Sequence, residues 1–264
     1  MHRLSTSLRL TGAYRHCNKI VRPSLHVPSA RGLKTVPSLE IFQRAVRFQE
    51  RKAIRNNPNV DDVSKQITYT YADLLEHSEA LHHDMKQKGL LKSDDNDPPR
   101  IAVLCESGYD YVRAQWAVWR AGAIFVPLCT THPAAEMEYV LQNARVSGAL
   151  CDSHHWNQFH SLAEKNGVKS IRLDSVEPQF SKLKDEKTET FSISRESPAM
   201  IIYTSGTTGK PKGVLTTHKN TEAQILSMHG PWGWKEEDHI LHVLTTSLWS
   251  GALCEMMPKF NPKQ

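Results

Sequence analysis

Apolar residues along this chain fall into short continuous runs alternating with stretches of helical spacing. Ile101-Ala102-Val103-Leu104-Cys105 and Ala199–Tyr203 have the length and apolar content of buried strands, and Ala123–Leu128, Ala149-Leu150-Cys151 and Lys169–Leu173 are expected as further strands. From Leu39 to about Arg55, the residues Phe42, Ala45, Val46 and Ile54 predict a first helix, followed by a charged, Asn-rich loop and a short strand at Ile67–Thr70. Thr70 with Asp73 three residues on is a capping-box start. Leu74, Leu75, Ser78, Leu81, His82 and Met85 then share one helical face, and Gly89 ends the helix. Ser107 is expected to cap a helix carrying Val112, Trp116 and Trp119 that stops at Gly122. A further helix runs from His132-Pro133 through Ala144, and another, starting about His154-His155, separates the strands at Cys151 and Lys169. The alternation predicts an α/β fold, a parallel-rich sheet with helices on both faces.

Other segments carry less pattern. Asp174–Glu196 is charged and aperiodic and is expected to be a linker or surface excursion. Trp116 and Trp119 at helical spacing are expected in the core rather than as a ligand platform. Trp232 and Trp234, flanking Gly233 after Pro231, are expected in a loop covering a sheet edge.

The net charge of +5 over 264 residues would suggest a polyanionic partner if it were spread evenly. It is not. Before Glu40 there is no acidic residue, while Arg3, Arg9, Arg15, Lys19, Arg22, Arg31 and Lys34 supply seven positive charges; without those seven, +5 becomes −2. Nucleic acid is therefore not implied. Positives spaced among Leu4, Leu8, Leu10, Ile20 and serines fit a mitochondrial transit peptide over 1–36, cut between Ser29 and Val36. No run reaches the roughly 18 apolar residues of a membrane span. Cys17, Cys105, Cys129, Cys151 and Cys254 are scattered without a paired spacing and point to incidental thiols in a reducing compartment. His82-His83 and His154-His155 lack a third metal-spaced partner and are expected on solvated faces.

The string Tyr203-Thr204-Ser205-Gly206-Thr207-Thr208-Gly209-Lys210-Pro211-Lys212-Gly213 carries the chemistry. A buried strand delivers the chain into a loop with three glycines, four hydroxyl side chains and two lysines, and a second strand, Val214–Thr217, follows. Glycines let backbone N–H groups turn inward, hydroxyls add donors, and lysines add fixed positive charge, which is equipment for a polyphosphate. The common P-loop requires Ser or Thr after Gly-Lys. Here Pro211 follows Gly209-Lys210 and offers neither hydroxyl nor N–H. A polar surface turn is the plain alternative.

The string resembles the phosphate-binding signature of the adenylate-forming enzymes, which include acyl-CoA synthetases, luciferases and peptide-synthetase adenylation domains. Tyr71-Ala72-Asp73-Leu74, Val103–Gly108, Ala117–Leu128 and Thr131-His132-Pro133-Ala134-Ala135-Glu136 look like successive segments of an acyl-CoA synthetase amino-terminal domain. With Ala114-Gln115-Trp116-Ala117, His132–Tyr139 and His239–Leu244, they are similar to the mitochondrial malonate-activating branch of that family. The resemblance implies that Thr204, Ser205, Gly206, Thr207, Thr208, Gly209, Lys210, Pro211 and Lys212 surround the β- and γ-phosphates of ATP. Lys212 would steady the charge that grows on pyrophosphate as a carboxylate attacks the α-phosphorus. It implies ATP, Mg2+ and coenzyme A beside malonate or a related carboxylate, and an incomplete amino-terminal domain over 37–264.

The chain departs from the family after Leu244, where Thr245–Ser250 stands in place of an expected histidine-rich segment; this looks like an internal deletion. The segments that the family uses to grip Mg2+ and ribose, the hinge and the carboxy-terminal domain with its lysine are not in these 264 residues. The chain is accordingly expected to be inactive alone and to attract chaperones. A non-catalytic nucleotide-binding remnant and a ligase for another short or medium-chain carboxylate are the competing expectations.

Overall fold

The computed structural model describes residues 33, 35–56, 66–92, 97–176, 188–204, 209–242 and 251–256. In chain order the elements are β1 (Thr35–Pro37), α1 (Glu40–Arg47), β2 (Lys52–Asn56), β3 (Ile67–Thr70), α2 (Tyr71–Gln87), β4 (Arg100–Leu104), α3 (Tyr109–Arg120), β5 (Ile124–Pro127) and α4 (Ala134–Asn143). They continue with β6 (Gly148–Cys151), α5 (Trp156–Lys165), β7 (Lys169–Arg172), β8 (Glu189–Phe191), β9 (Pro198–Thr204), β10 (Lys212–Thr217), α6 (His218–Trp232), β11 (His239–His242) and β12 (Leu253–Met256).

The principal sheet has the order β10-β9-β5-β4-β6-β7, parallel throughout except for the antiparallel pair of β9 and β10. A second sheet, β11-β12-β2-β3, mixes parallel and antiparallel pairs, and β1 pairs with β8 alone. Helices pack on both faces of the principal sheet. On one face Trp116, Trp119, Ala117 and Val118 of α3 join Leu74, Leu75, Leu81 and Met85 of α2. On the other, Met137, Val140 and Leu141 of α4 meet Phe159 and Ala163 of α5. A parallel sheet must be covered this way because its strands are apolar on both sides.

Named bonds lock the layers. The indole N–H of Trp119 donates to the Ala199 carbonyl in β9 at 2.9 Å, so α3 fixes the strand that leads to the glycine-rich loop. The Thr70 capping box forms as expected, with the Asp73 amide donating to Thr70 Oγ1 at 3.1 Å and the Thr70 amide to Asp73 Oδ2 at 2.7 Å. The left-handed φ of 72° at Gly89 lies just beyond that helix.

Four expectations need correcting. The first helix stops at Arg47, and Ile54 belongs to β2, where it faces Cys254 and Tyr69. Ser107 does not cap α3; Gly108 stands at the cap, with no side-chain cap bond, and Asn56 Oδ1 lies 2.9 Å from where its Cβ would be. Within Asp174–Glu196, Arg113 donates to the carbonyl of Val176 at 3.4 Å, and β8 pairs with β1, so parts of this stretch are docked. Pro231 and Trp232 lie in the last turn of α6 rather than in a loop, with Trp232 exposed and Gly233 closing the helix at φ 64°.

Candidate functional site

The glycine-rich string lies on the hairpin between β9 and β10. Parallel pairing with β5 points β9 so that Thr204 ends at the carboxyl edge of the principal sheet, the edge where open α/β sheets bind ligands. Lys212 stands directly across from Thr204 in the antiparallel register, so the two mark the mouth of the loop. Thr204, Gly209, Lys210 and Lys212 are exposed and Pro211 is half-buried. Ser205, Gly206, Thr207 and Thr208 lie outside the described residues. Gly209 has φ 150° with open space where a Cβ would stand, a conformation open to glycine and rarely to other residues. Gly213 is tightly placed for a different reason. A Cβ there would come within 3.1 Å of Tyr203 Cζ and 3.0 Å of Ile201 Cγ2, so its absence seats the Tyr203 ring across the hairpin.

Residues that the sequence alone did not single out for this site come from α4. Tyr139 Oη donates to the Pro211 carbonyl at 3.1 Å, and the Lys210 ammonium lies 5.3 Å from the centre of the Tyr139 ring. Tyr203 Oη donates to Asn143 Oδ1 at 2.6 Å, and the rings of Tyr139 and Tyr203 meet edge-on at 6.3 Å. Burial, then the neighbouring Tyr139, push the Tyr203 phenol above its usual range, so it remains a hydrogen-bond donor at neutral pH. The four-residue spacing of Tyr139 and Asn143 was the available signal, since it puts both on one side of a helix.

A second polar group stands on the same sheet edge, after β4 and β6. These strands are neighbours whose following helices lead in opposite directions, to β5 and to β7. Asp152 accepts from the Glu106 amide at 2.8 Å, from the His155 amide at 2.9 Å and from His155 Nδ1 at 2.8 Å. Burial raises the Asp152 carboxyl, but these hydrogen bonds outweigh it and hold the group below the usual carboxylate range. His155 is thus a partly buried structural partner rather than a solvated residue, and His82 is also half-buried. Among the described residues no group of three or more His, Cys, Asp or Glu is placed to hold a metal ion. The thiols of Cys105, Cys151 and Cys254 are pushed up by burial, which keeps them as inert protonated thiols. Among the described residues no helix is long and apolar enough to cross a membrane.

Known proteins share this fold and part of this sequence. The family profile of the AMP-binding enzymes matches residues 41–261. The protein named malonate–CoA ligase ACSF3, mitochondrial, of Xenopus laevis is 37% identical over 255 residues, which is 91% of this chain and 42% of that protein. Its human counterpart is 34% identical over 252 residues, covering 90% of this chain and 42% of that protein. The chain therefore spans about two fifths of the length of these curated relatives. Among solved structures, apo MatB from Rhodopseudomonas palustris superposes with a TM-score of 0.66 at 21% identity, covering 83% of this chain and 46% of that one. The O-succinylbenzoate coenzyme A synthetase MenE of Bacillus subtilis, in complex with ATP and magnesium ion, gives 0.67 at 22%, covering 85% and 58%. The shared fold is that of the amino-terminal domain of adenylate-forming enzymes, and the chain belongs to the AMP-binding enzyme family.

Proposed function

We propose that the β9–β10 loop holds the phosphates of ATP, and that the chain is the phosphate-holding portion of an ATP-dependent acid–thiol ligase acting on malonate. The observation that carries this is the placing of the Tyr203–Gly213 string at the carboxyl edge, with Thr204 and Lys212 opposed at its mouth. Thr204, Ser205, Gly206, Thr207, Thr208 and Gly209 would offer hydroxyl and backbone donors to the phosphate oxygens. Lys210 would add charge, Pro211 would stiffen the turn, and Lys212 would steady the leaving pyrophosphate. Malonate is supported by 33–37% identity to four proteins named malonate–CoA ligase, each matched over 90–91% of this chain.

In such a reaction the carboxylate attacks the α-phosphorus, pyrophosphate leaves, and the thiol of coenzyme A then displaces AMP from the acyl adenylate. Mg2+ neutralises phosphate charge in this chemistry. Mg2+ would accompany the nucleotide, as supported by the MenE structure in complex with ATP and magnesium ion. The acid-free leader, together with relatives named mitochondrial, supports a transit peptide over 1–36, a binding domain over 37–264 and a place in the mitochondrial matrix.

ATP titration and ATP–pyrophosphate exchange with malonate, methylmalonate and fatty acids test this. The 264-residue chain is expected to bind ATP through the loop without releasing AMP, because phosphate contacts alone do not align attacker and leaving group. Malonate-dependent AMP release by the pure chain would overturn that division of labour, and exchange with fatty acids but not malonate would overturn the acid.

A further inference from the structure

We propose that Tyr139 of α4 is a positioning residue for the carboxy-terminal stem of the loop, Gly209–Lys212. Its effect on nucleotide rests on the phosphate-holding role proposed above; the positioning itself does not.

Met137, Val140 and Leu141 face the core, which fixes the rotation of α4 about its axis. That rotation brings Tyr139 and Asn143, one turn apart, against the two arms of the hairpin. On the outgoing arm, Tyr139 donates to the Pro211 carbonyl at 3.1 Å and presents its ring to the Lys210 ammonium at 5.3 Å. On the incoming arm, Asn143 accepts from Tyr203 at 2.6 Å, and the Tyr203 ring meets Tyr139 edge-on. Gly213 leaves the Tyr203 ring the room to sit there.

The strand ladder holds the hairpin only up to the Thr204–Lys212 pair. Beyond it, the described contacts that tie the stem to the body of the domain are those of Tyr139 with Lys210 and Pro211. Pro211 has no N–H, so its carbonyl is the one backbone group through which that residue can be anchored. A lysine resting over an aromatic face is held in direction by the ring's attraction for the cation. Tyr139 therefore sets where the Lys210 charge stands before a phosphate arrives, and ordering done in advance is not charged against binding.

The experiment uses the full 264-residue chain. Hydrogen exchange is followed at the amides of Gly209, Lys210, Lys212 and Gly213, alongside calorimetric titration with ATP, in Tyr139→Phe, Tyr139→Leu, Lys210→Ala and the Tyr139→Leu/Lys210→Ala double variant. Expected is faster exchange at the stem in Tyr139→Leu, a smaller rise in Tyr139→Phe, and no change in β4 or β6. Loss of one neutral hydrogen bond should weaken ATP binding by about two- to tenfold in Tyr139→Phe. The double variant should lose less than the two single losses combined, because Lys210 then has no ring to leave; a purely structural role would give additive losses. Tyr139→Phe keeps the ring and its packing, so it decides the matter even if Tyr139→Leu fails to fold. Unchanged stem exchange in Tyr139→Phe, or additive losses in the cycle, would overturn the proposal. Faster stem exchange with ATP binding indifferent to Lys212→Ala would uphold the positioning and refute the phosphate role.

Discussion

Lowering the pH from 7 to 5 should destabilise this domain through His218. The imidazole is 7% exposed, lies edge-on to Trp119 at 5.5 Å, and its Nε2 has no hydrogen-bond partner. Burial lowers its pKa from 6.5 to about 4. As the first residue of α6 it also sits at the positive end of the helix dipole, which opposes a proton in the same sense. Between those two values the unfolded chain binds a proton that the folded chain refuses. Stability from this group is therefore complete above pH 6.5 and declines as the pH falls toward 4. Linkage over that interval gives a loss of about 2 kcal/mol at pH 5 and about 3 kcal/mol at its limit. For a domain of this size, the loss at pH 5 is a fall in Tm of about 4–8 °C. His82, lowered to about 4 by burial, then by Arg120 and Lys86, adds a contribution of the same sign. Thermal unfolding at pH 5, 6 and 7 should show a shallower pH slope in His218→Gln than in wild type, and a shallower one still in His218→Gln/His82→Gln. A wild-type slope retained by His218→Gln would refute the reasoning.

Lys212→Ala should weaken ATP binding strongly, while Lys219→Ala should leave it unchanged, because Lys219 pairs with Glu196 at 2.7 Å; equal effects in a nucleotide titration would contradict the loop's geometry. Trp119→Phe leaves the Ala199 carbonyl buried without its donor and should cost about 1–3 kcal/mol in chemical denaturation. Ile202, Val214 and Leu215 are 38%, 48% and 54% exposed, so Val214→Thr/Leu215→Thr should reduce binding of a hydrophobic dye with little change in Tm. Residues 1–39 fused to a reporter should direct it to mitochondria and be cleaved, as imaging and fragment size will show.

The β-α units from Ile101 to Ile171 were legible in the sequence because β4, β5 and β6 are apolar on both faces and the helices between them keep an apolar stripe. Errors fell where a partner far along the chain decides the outcome. Ala53 and Ile54 continue the helical spacing of α1, yet β12 claims this stretch some 200 residues later through pairs such as Cys254 with Ile54. Ser107 has better capping chemistry than Gly108. The helix nevertheless starts one residue later, after Gly108, where Asn56 Oδ1 lies close to the place of a Cβ. The stretch after Pro231 was expected as a loop, but Pro231 and Trp232 fall in the final turn of α6, which Gly233 closes.

The candidate site was legible for a different reason. Its chemistry is contiguous in the string from Tyr203 to Gly213, so composition and order sufficed to propose it without tertiary information. What order could not convey is how the stem is held. Tyr139 stands 72 residues before the carbonyl it binds and belongs to a helix whose apolar spacing explains it adequately as packing. Only the strand order β9-β5-β4-β6 brings α4, the crossover from β5 to β6, beside the hairpin. A loop rich in glycine gains donors at the expense of definition, and definition must come from outside it. The same rotation of α4 that buries Met137, Val140 and Leu141 presents Tyr139 and Asn143 to that loop. One helix thus serves the core and the stem together, and a change in its packing should be felt at the lysines before it is felt in the sheet.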